Sequence, residues 1–502
     1  MNNNAKVISN LIWRFFERCG AQLVSFAVAV LLARILDPAE YGPVTKVAVF
    51  TSILLVFVDS GMANALIQKK DPDDLDFSSV FWFNLSFGVL LYALLFFTAP
   101  LISRMYHDPR LVPILRVLGL TLVVAGVKNV QQAYVSKTLQ FKRFFFATLG
   151  GTLFSAVLGI TLAARGFGVW ALVAQQLSNV TVNTVILWFT VGWRPKKLLS
   201  LPRLKGLLAY GWKLLGAQLL DTVYLKLYPL IIGVRYTDTD LAFFDRGNHL
   251  PNLVVENINY SIDSVLLPVL SNEQDQRERV REMTRRAIRT SSYVMMPLMA
   301  GLAVCAEPLI RLLLKEKWMP CVPFMQVFCV YYAFFPLHTA NLNAIKAVGR
   351  SDVFLKLEIL KKVLETVVLL VTLRIGVFAM ALGQLFCGLL SQLINAWPNR
   401  KLLDYPYLQQ LRDMLPALGL SAAMAVCVRA VLLLALPDWL TLLIQIPLGV
   451  AIYVLLSRLL KLDSFEFILS LLRKLLRRGK EAEENGWKKE RSRLPRRHGD
   501  RL

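Results

Sequence analysis

Charge is what this chain has least of. Only 18% of its 502 residues are Asp, Glu, Lys or Arg, whereas 56% are hydrophobic and the mean hydropathy is +0.51. Soluble domains carry about 25% charged residues, so too little polar surface is present to clothe several water-exposed globules. Acidic residues are scarcer than basic ones, 34 against 57, for a net charge of +23. The excess lies between apolar runs and at the C-terminus, the pattern of loops facing anionic lipid. No nucleic-acid partner is expected. The four histidines (His107, His249, His338, His498) are far apart, and the six cysteines form no CxxC pair. Neither a metal site nor a disulfide framework follows. A GxxxxGK[ST] phosphate loop is missing as well, which removes ATP hydrolysis by that route. Asp71-Pro72-Asp73 and Asp238-Thr239-Asp240 have the DxD spacing of metal–nucleotide sites, but each sits in a short loop and reads as a turn and helix-cap segment. The N-terminal MNNNAKVISN lacks a signal-peptide cleavage pattern, so the apolar run after it is expected to stay as a span.

Long apolar runs are what the chain does have. A membrane-crossing helix needs roughly 20 mainly apolar residues. Fourteen such runs are predicted, at 11–36, 42–67, 77–99, 111–135, 144–164, 168–190, 207–234, 240–270, 287–313, 321–345, 353–373, 376–397, 411–436 and 440–460. The eighth is unusually polar. With the N-terminus inside, the inner loops hold roughly three times as many Lys and Arg as the outer ones, which places both termini in the cytoplasm. Trp82, Trp188, Trp193, Trp212, Trp318, Trp397 and Trp439 lie near predicted span ends, where indole prefers the interface. Residues 464–478 show apolar positions at helical spacing with a basic end, as expected of a helix on the inner leaflet. Residues 479–502 are charged and expected to be disordered.

The two halves resemble each other. Gly20-Ala21-Gln22-Leu23 recurs as Gly216-Ala217-Gln218-Leu219, and Gly168-Val169-Trp170-Ala171-Leu172 sets against Gly376-Val377-Phe378-Ala379-Met380. Six spans per half is an even number, so both halves enter from the same side. Parallel repeats of this kind are a transporter architecture with the substrate site at their interface. The predicted division is an N-lobe at 1–206 with spans 1–6, a C-lobe at 207–410 with spans 7–12, spans 13–14 at 411–460, and a basic tail at 461–502.

Ionisable groups at bilayer depth are costly and should face a cavity or a partner. In span 8, Asp245, His249, Asn252, Glu256, Asn259 and Asp263 follow steps of four and three along one helical face. Leu250, Val254, Ile258, Ile262 and Val265 occupy much of the other face, which suits the wall of a wet cavity or, alternatively, an amphipathic helix at the membrane surface. Span 1 carries Arg14, Arg18, Gln22 and Ser25 on a stripe, with Glu17 beside Arg18. Arg14 could simply snorkel to the surface. Span 7 places Gln218, Asp221, Thr222 and Lys226 on one side. Span 11 has Lys361, Lys362 and Glu365, for which an intrahelical ion pair and a substrate contact are equal readings. Asp59, just before Gly61, reads first as a helix-end residue. Glu17, Asp59, Asp221 and Glu365 are the candidates for coupling to protons or sodium; no catalytic residue and no cofactor is expected.

An ordered series of motifs carries a resemblance. It comprises Leu32-Ala33-Arg34-Ile35-Leu36-Asp37-Pro38-Ala39-Glu40-Tyr41-Gly42, Asp59-Ser60-Gly61-Met62 with Ala65-Leu66-Ile67-Gln68, Gly166-Phe167-Gly168-Val169-Trp170-Ala171-Leu172, Phe244-Asp245-Arg246, Leu267-Pro268-Val269-Leu270-Ser271, and the stretch from Gly349-Arg350-Ser351-Asp352 to Lys361-Lys362. Together these resemble the Wzx-type polysaccharide flippases, nearest the colanic acid exporters, within the multidrug/oligosaccharidyl-lipid/polysaccharide superfamily. Two departures stand out. Lys315-Glu316-Lys317-Trp318 has lysine where such proteins often have glycine, and Asp245 stands where asparagine is common.

The resemblance implies an all-α polytopic membrane protein of about 14 helices: two six-helix lobes in a V plus two C-terminal helices. It implies translocation of an undecaprenyl-diphosphate-linked oligosaccharide across the bacterial inner membrane by alternating access, with membrane lipids and polysaccharide polymerase machinery as further partners. In related lipid II flippases cavity arginines engage the diphosphate, and Arg18 and Arg246 are the positions matched to that role. Guanidinium groups in a hydrated cavity would replace the water that a diphosphate cannot shed into hydrocarbon. The alternative is a cation-coupled multidrug exporter of the same fold, which would want carboxylates such as Asp221 or Glu365 and fewer cations. A membrane scaffold fits the polar stripe of span 8 poorly, and a glycan polymerase or ligase would normally show a large outer loop.

Overall fold

A backbone in hydrocarbon must satisfy its own hydrogen bonds, and a helix does so within one segment. The computed structural model describes residues 20–470 apart from Ser60, Lys70 and Leu139, and among the described residues it holds helices and no strand. The helices are α1 (Gly20–Ile35), α2 (Pro38–Asp59), α3 (Met62–Gln68), α4 (Asp74–Tyr106), α5 (Leu111–Lys137), α6 (Phe141–Ala164), α7 (Val169–Thr190), α8 (Leu201–Arg235) and α9 (Asp238–Asn272). They continue as α10 (Arg277–Val304), α11 (Ala306–Leu314), α12 (Val322–Ala333), α13 (Phe335–Ala347), α14 (Ser351–Thr372), α15 (Val377–Leu402), α16 (Tyr407–Ala430) and α17 (Asp438–Leu459). A last short helix, α18, covers 463–470.

Among the described residues each of the fourteen predicted runs meets a helix or a broken pair, residues 11–19 of the first lying outside them. The second run is α2 with α3, the ninth is α10 with α11, bent by 64°, and the tenth is α12 with α13. Among the described residues eight spans are long and apolar enough to cross a membrane by composition, and nine if the bent pair counts as one. The 22 to 35 residues of α7, α8, α9 and α14 also suffice in length, but these helices are too polar to be found by hydropathy. The chain is a multi-pass membrane protein.

The helices form two compact units. The first comprises residues up to Gly247 with 310–324 and 369–380, and the second Asn248–Leu309 with 325–368 and the chain from Ala381. In the first, α4 lies along α5, α6 along α7, and α2 against α5, α7 and α8. Lipid provides no hydrophobic drive between helices, so close backbone approach and polar contacts must hold them. A Cβ on Gly126 would stand 2.6 Å from the Asn84 carbonyl oxygen, and one on Gly88 would stand 2.8 Å from that of Leu122. In the second unit α10 packs on α13, α16 and α17. There Tyr293 donates to Ser457 Oγ at 2.7 Å and Tyr453 to the Tyr293 carbonyl at 2.8 Å, both buried.

The internal repeat has a local structural echo. A two-residue link joins α1 to α2 and another joins α8 to α9. The paired Gly168 and Gly376 both have positive φ, +52° and +154°, immediately before α7 and α15.

The two DxD segments are helix caps. Asp73 accepts from the Asp76 amide at 2.9 Å while the Asp76 carboxylate accepts from the Asp73 amide at 3.1 Å, a capping box at the start of α4. Hydrogen bonds from Arg203 hold the Asp73 carboxyl down at about 2. Asp238 opens α9 and pairs with Lys46 at 2.6 Å and Arg110 at 2.7 Å. In the tail, Phe465 and Ile468 of α18 pack on the core of the second unit, and Arg286 stacks over Phe467 at 5.7 Å. The rest of the predicted 464–478 helix, and all of 479–502, lies outside the described residues.

Candidate functional site

The helix that carries most of the predicted polar positions is α9, whose 35 residues rise about 52 Å. From Asn248 onward it runs alongside α12 and α13. Tyr332 Oη lies 2.9 Å from Asn252 Oδ1 and 3.0 Å from Asn248 Oδ1, Thr339 Oγ1 donates to Asn259 Oδ1 at 2.5 Å, and Asn343 Nδ2 donates to Asp263 Oδ1 at 2.7 Å. Three of these four pairs, at Asn252, Asn259 and Asp263, are separated by 80 positions in sequence. A constant offset means two parallel helices held in one register over three turns. An amphipathic helix at the membrane surface would not run in register with a span, so α9 is itself a span.

The ladder uses one edge of the polar face. Asn252 and Asn259 are half-buried, while Asp245, His249, Glu256 and Asp263 stay exposed. Asn252 Nδ2 also donates to Glu256 Oε1 at 2.7 Å, fixing that carboxylate while leaving it accessible. The stripe therefore carries acidic groups and a histidine that protein packing does not cover.

Arg246 lies in the first unit, about 12 Å along α9 from its start. Its guanidinium stacks on the Tyr41 ring at 4.7 Å and on the Trp318 ring at 5.5 Å, two rings that themselves meet edge to face at 5.2 Å. Among the described residues it makes no ion pair. Stacking fixes the plane of a guanidinium and leaves its N–H edge for an anion.

A clasp positions this aromatic pair. Trp318, fully buried, donates its indole N–H to the Ala33 carbonyl at 2.9 Å. Lys317 Nζ reaches the Leu36 carbonyl at 2.5 Å at the end of α1, and Arg34 reaches the Leu313 and Leu312 carbonyls at 2.7 and 2.5 Å at the end of α11. Each cation satisfies the orphan carbonyls of the other's helix end. Trp318 was expected at a lipid interface. Its burial corrects that, as does the burial of Trp193, whereas Trp212, Trp397 and Trp439 are exposed as interface residues should be. Lys315 adopts φ +71°, ψ 174°, a conformation that only glycine reaches without strain.

The other expected positions scatter. Gln218 and Asp221 are exposed on α8 and Lys226 is half-buried there. Gln22 on α1 is half-buried, as is Asp59 at the end of α2. Arg14, Glu17 and Arg18 lie outside the described residues. On α14 the ion pairing is intrahelical but differently partnered. Lys361 binds Glu358 at 2.6 Å, and Glu365 binds Lys362 at 3.1 Å rather than Lys361. Sequence reasoning missed Tyr41 and Trp318, whose only signal was their place in or beside the quoted motifs, and Glu358, one turn before Lys361.

Similarity to known proteins agrees with this geometry. The family model described as "Polysaccharide biosynthesis protein" matches residues 31–323. The chain is 23% identical over 365 residues to the succinoglycan biosynthesis transport protein ExoT of Rhizobium meliloti (strain 1021), covering 72% of this chain and 74% of that one. It is 24% identical over 405 residues to the lipopolysaccharide biosynthesis protein WzxC of Escherichia coli (strain K12), covering 79% and 80%. Among solved structures, the lipid II flippase MurJ in an inward closed conformation aligns with a TM-score of 0.70 at 15% identity, over 90% of this chain and 98% of that chain. More than half of the sequence falls within the family model, and the chain belongs to the polysaccharide biosynthesis protein family.

Proposed function

We propose that the protein is a flippase for undecaprenyl-diphosphate-linked oligosaccharide, residing in the bacterial inner membrane with both termini in the cytoplasm and working by alternating access. It moves its substrate without making or breaking a covalent bond, and its product feeds the polymerase machinery of an exopolysaccharide or lipopolysaccharide. The observation that carries this reading is α9: a membrane-spanning helix held in register along one edge, with a stacked arginine near its start and an uncovered polar stripe below it. A diphosphate binds the N–H edge of Arg246 through charge-assisted, bidentate hydrogen bonds. Arg14 and Arg18 are further proposed headgroup residues, and the His249, Glu256 and Asp263 row offers hydrogen bonds to sugar hydroxyls. Gln22, Gln218, Asp221 and Lys226 are further proposed substrate contacts, and Glu17, Asp59, Asp221 and Glu365 are the groups through which protons or sodium could be coupled.

The test is reconstitution into liposomes with fluorescent undecaprenyl-diphosphate sugar and a capture reagent on one side. Wild type transfers the lipid, Arg246→Ala slows transfer at least about tenfold, the worth of one charge-assisted hydrogen bond, and Arg246→Lys recovers only part of it. Equal transfer by wild type and Arg246→Ala contradicts the arginine's role. Failure to move the lipid together with export of cationic dyes replaces the reading by drug export.

A further inference from the structure

Within the second unit, α12–α13, α14 and α15 enclose a cavity of about 180 Å³ at the level of their middle turns. Its lining is unlike the packed interior around it. Two ion pairs, Lys361–Glu358 and Lys362–Glu365, stand along one wall at 2.6 and 3.1 Å. Tyr331 and Phe335 form an aromatic wall, their rings 6.1 Å apart, and the His338 ring stacks on Phe335 at 5.2 Å. The third wall is α15, where Ser391 and Gln392 are 5% and 4% exposed. The Ser391 hydroxyl and the Gln392 carbonyl oxygen have no hydrogen-bond partner among the described residues. Buried polar atoms are nearly always paired, so two orphans lining one cavity call for a ligand. Gly388 keeps this room open. A Cβ there would lie 2.4 Å from the Tyr331 ring and drive it from its place.

The chemistry of the walls selects the ligand. Both carboxylates are already neutralised by a lysine, so the cavity offers a cation no net negative charge. What remains unspent is neutral, a hydroxyl and an amide, beside aromatic faces and fixed charged groups whose remaining lone pairs and N–H bonds suit hydroxyls. Apolar faces joined to a few convergent polar groups are how a protein orients a small polar ring. We infer that this cavity binds one sugar ring of the transported glycan and thereby selects among glycans. The inference rests on the flippase reading and assigns a second contact point, separate from the Arg246 stack.

The test uses the purified full chain in detergent and the methyl glycosides of a hexose, an N-acetylhexosamine and a hexuronic acid as probes. At least one glycoside raises the melting temperature of wild type saturably. Gln392→Leu and Ser391→Ala, each melting within a few degrees of wild type without sugar, weaken its binding about tenfold, while Arg246→Ala leaves it unchanged. Absence of any glycoside effect, or binding by both variants as tight as that of wild type, overturns the sugar site. So does stabilisation by sodium ions or protons alone that the same two variants abolish. Transport separates the two ideas. If the glycoside binds as stated but liposomes move no lipid-linked sugar, the flippase reading fails and the pocket stands. If transfer and its glycan preference are unchanged in Gln392→Leu, the pocket fails and the flippase reading stands.

Discussion

Lys46 and Lys361 are lysines of nearly equal burial, 4% and 3% exposed, in surroundings that could hardly differ more. Lys46, in the first unit, is locked into a closed network. Asp238 takes its ammonium group at 2.6 Å and Arg110 at 2.7 Å, Asp108 takes Arg110 in turn at 2.9 Å, and the Tyr106 ring covers the lysine at 5.2 Å. That network ties the start of α9 to α2. Lys361, in the second unit, is paired within its own helix and faces an open cavity with unpartnered neighbours. Burial of charge alone therefore does not mark a functional site. Unused hydrogen-bonding capacity next to free volume does.

The sharpest way to break this contrast is to remove each lysine's partner. Asp238→Ala strands Lys46 in a closed network and should cost about 3 kcal/mol, seen as a marked drop in melting temperature. Glu358→Ala leaves Lys361 beside a cavity that water can fill, and should cost about 1 kcal/mol. Equal losses would erase the distinction. Relief of strain comes next. Lys315→Gly should stabilise the first unit by about 1 kcal/mol or more, because glycine occupies φ +71° freely. A melting temperature that falls instead would show that the Lys315 side chain contributes more than its backbone costs.

Thr339→Val tests the register of the second unit. Losing the hydroxyl that holds Asn259 should cost about 1 kcal/mol and leave the fold intact. The smallest effect is one of pH. The Asp73 carboxyl is held at about 2, below the ordinary value near 3.9. Its depressed value stabilises the folded chain above about pH 4, and that contribution is lost as pH falls toward 2. Acid unfolding of Arg203→Gln should accordingly lose the corresponding slope, modestly, because the pair is exposed.

Much of this was legible in the sequence. Each of the fourteen predicted runs falls on a helix or a broken pair among the described residues, and the four-and-three spacing of Asp245 to Asp263 identified the polar face of α9 even though hydropathy alone rejects that helix. The motif around Phe244-Asp245-Arg246 marked the arginine, but nothing local could show that Tyr41 and Trp318, far away in the chain, form its platform. Residues such as Trp318 mislead because a tryptophan near a span end serves an interface or a tertiary clasp equally well. The α14 pairing escaped because Lys361 has acidic neighbours one turn away on both sides, and only geometry chooses between them. Ser391 and Gln392 carried no signal at all; their interest lies in lacking partners, a property sequence cannot display.

Substituted-cysteine labelling along α9 addresses the central claim most directly. In a variant with the native cysteines replaced, single cysteines at positions 245, 249, 256 and 263 should react with a membrane-impermeant maleimide in intact proteoliposomes, and those at 254 and 258 should not. Protection of the polar-face positions, or labelling of both faces alike, would contradict a water-lined path along this helix and with it the flippase mechanism proposed.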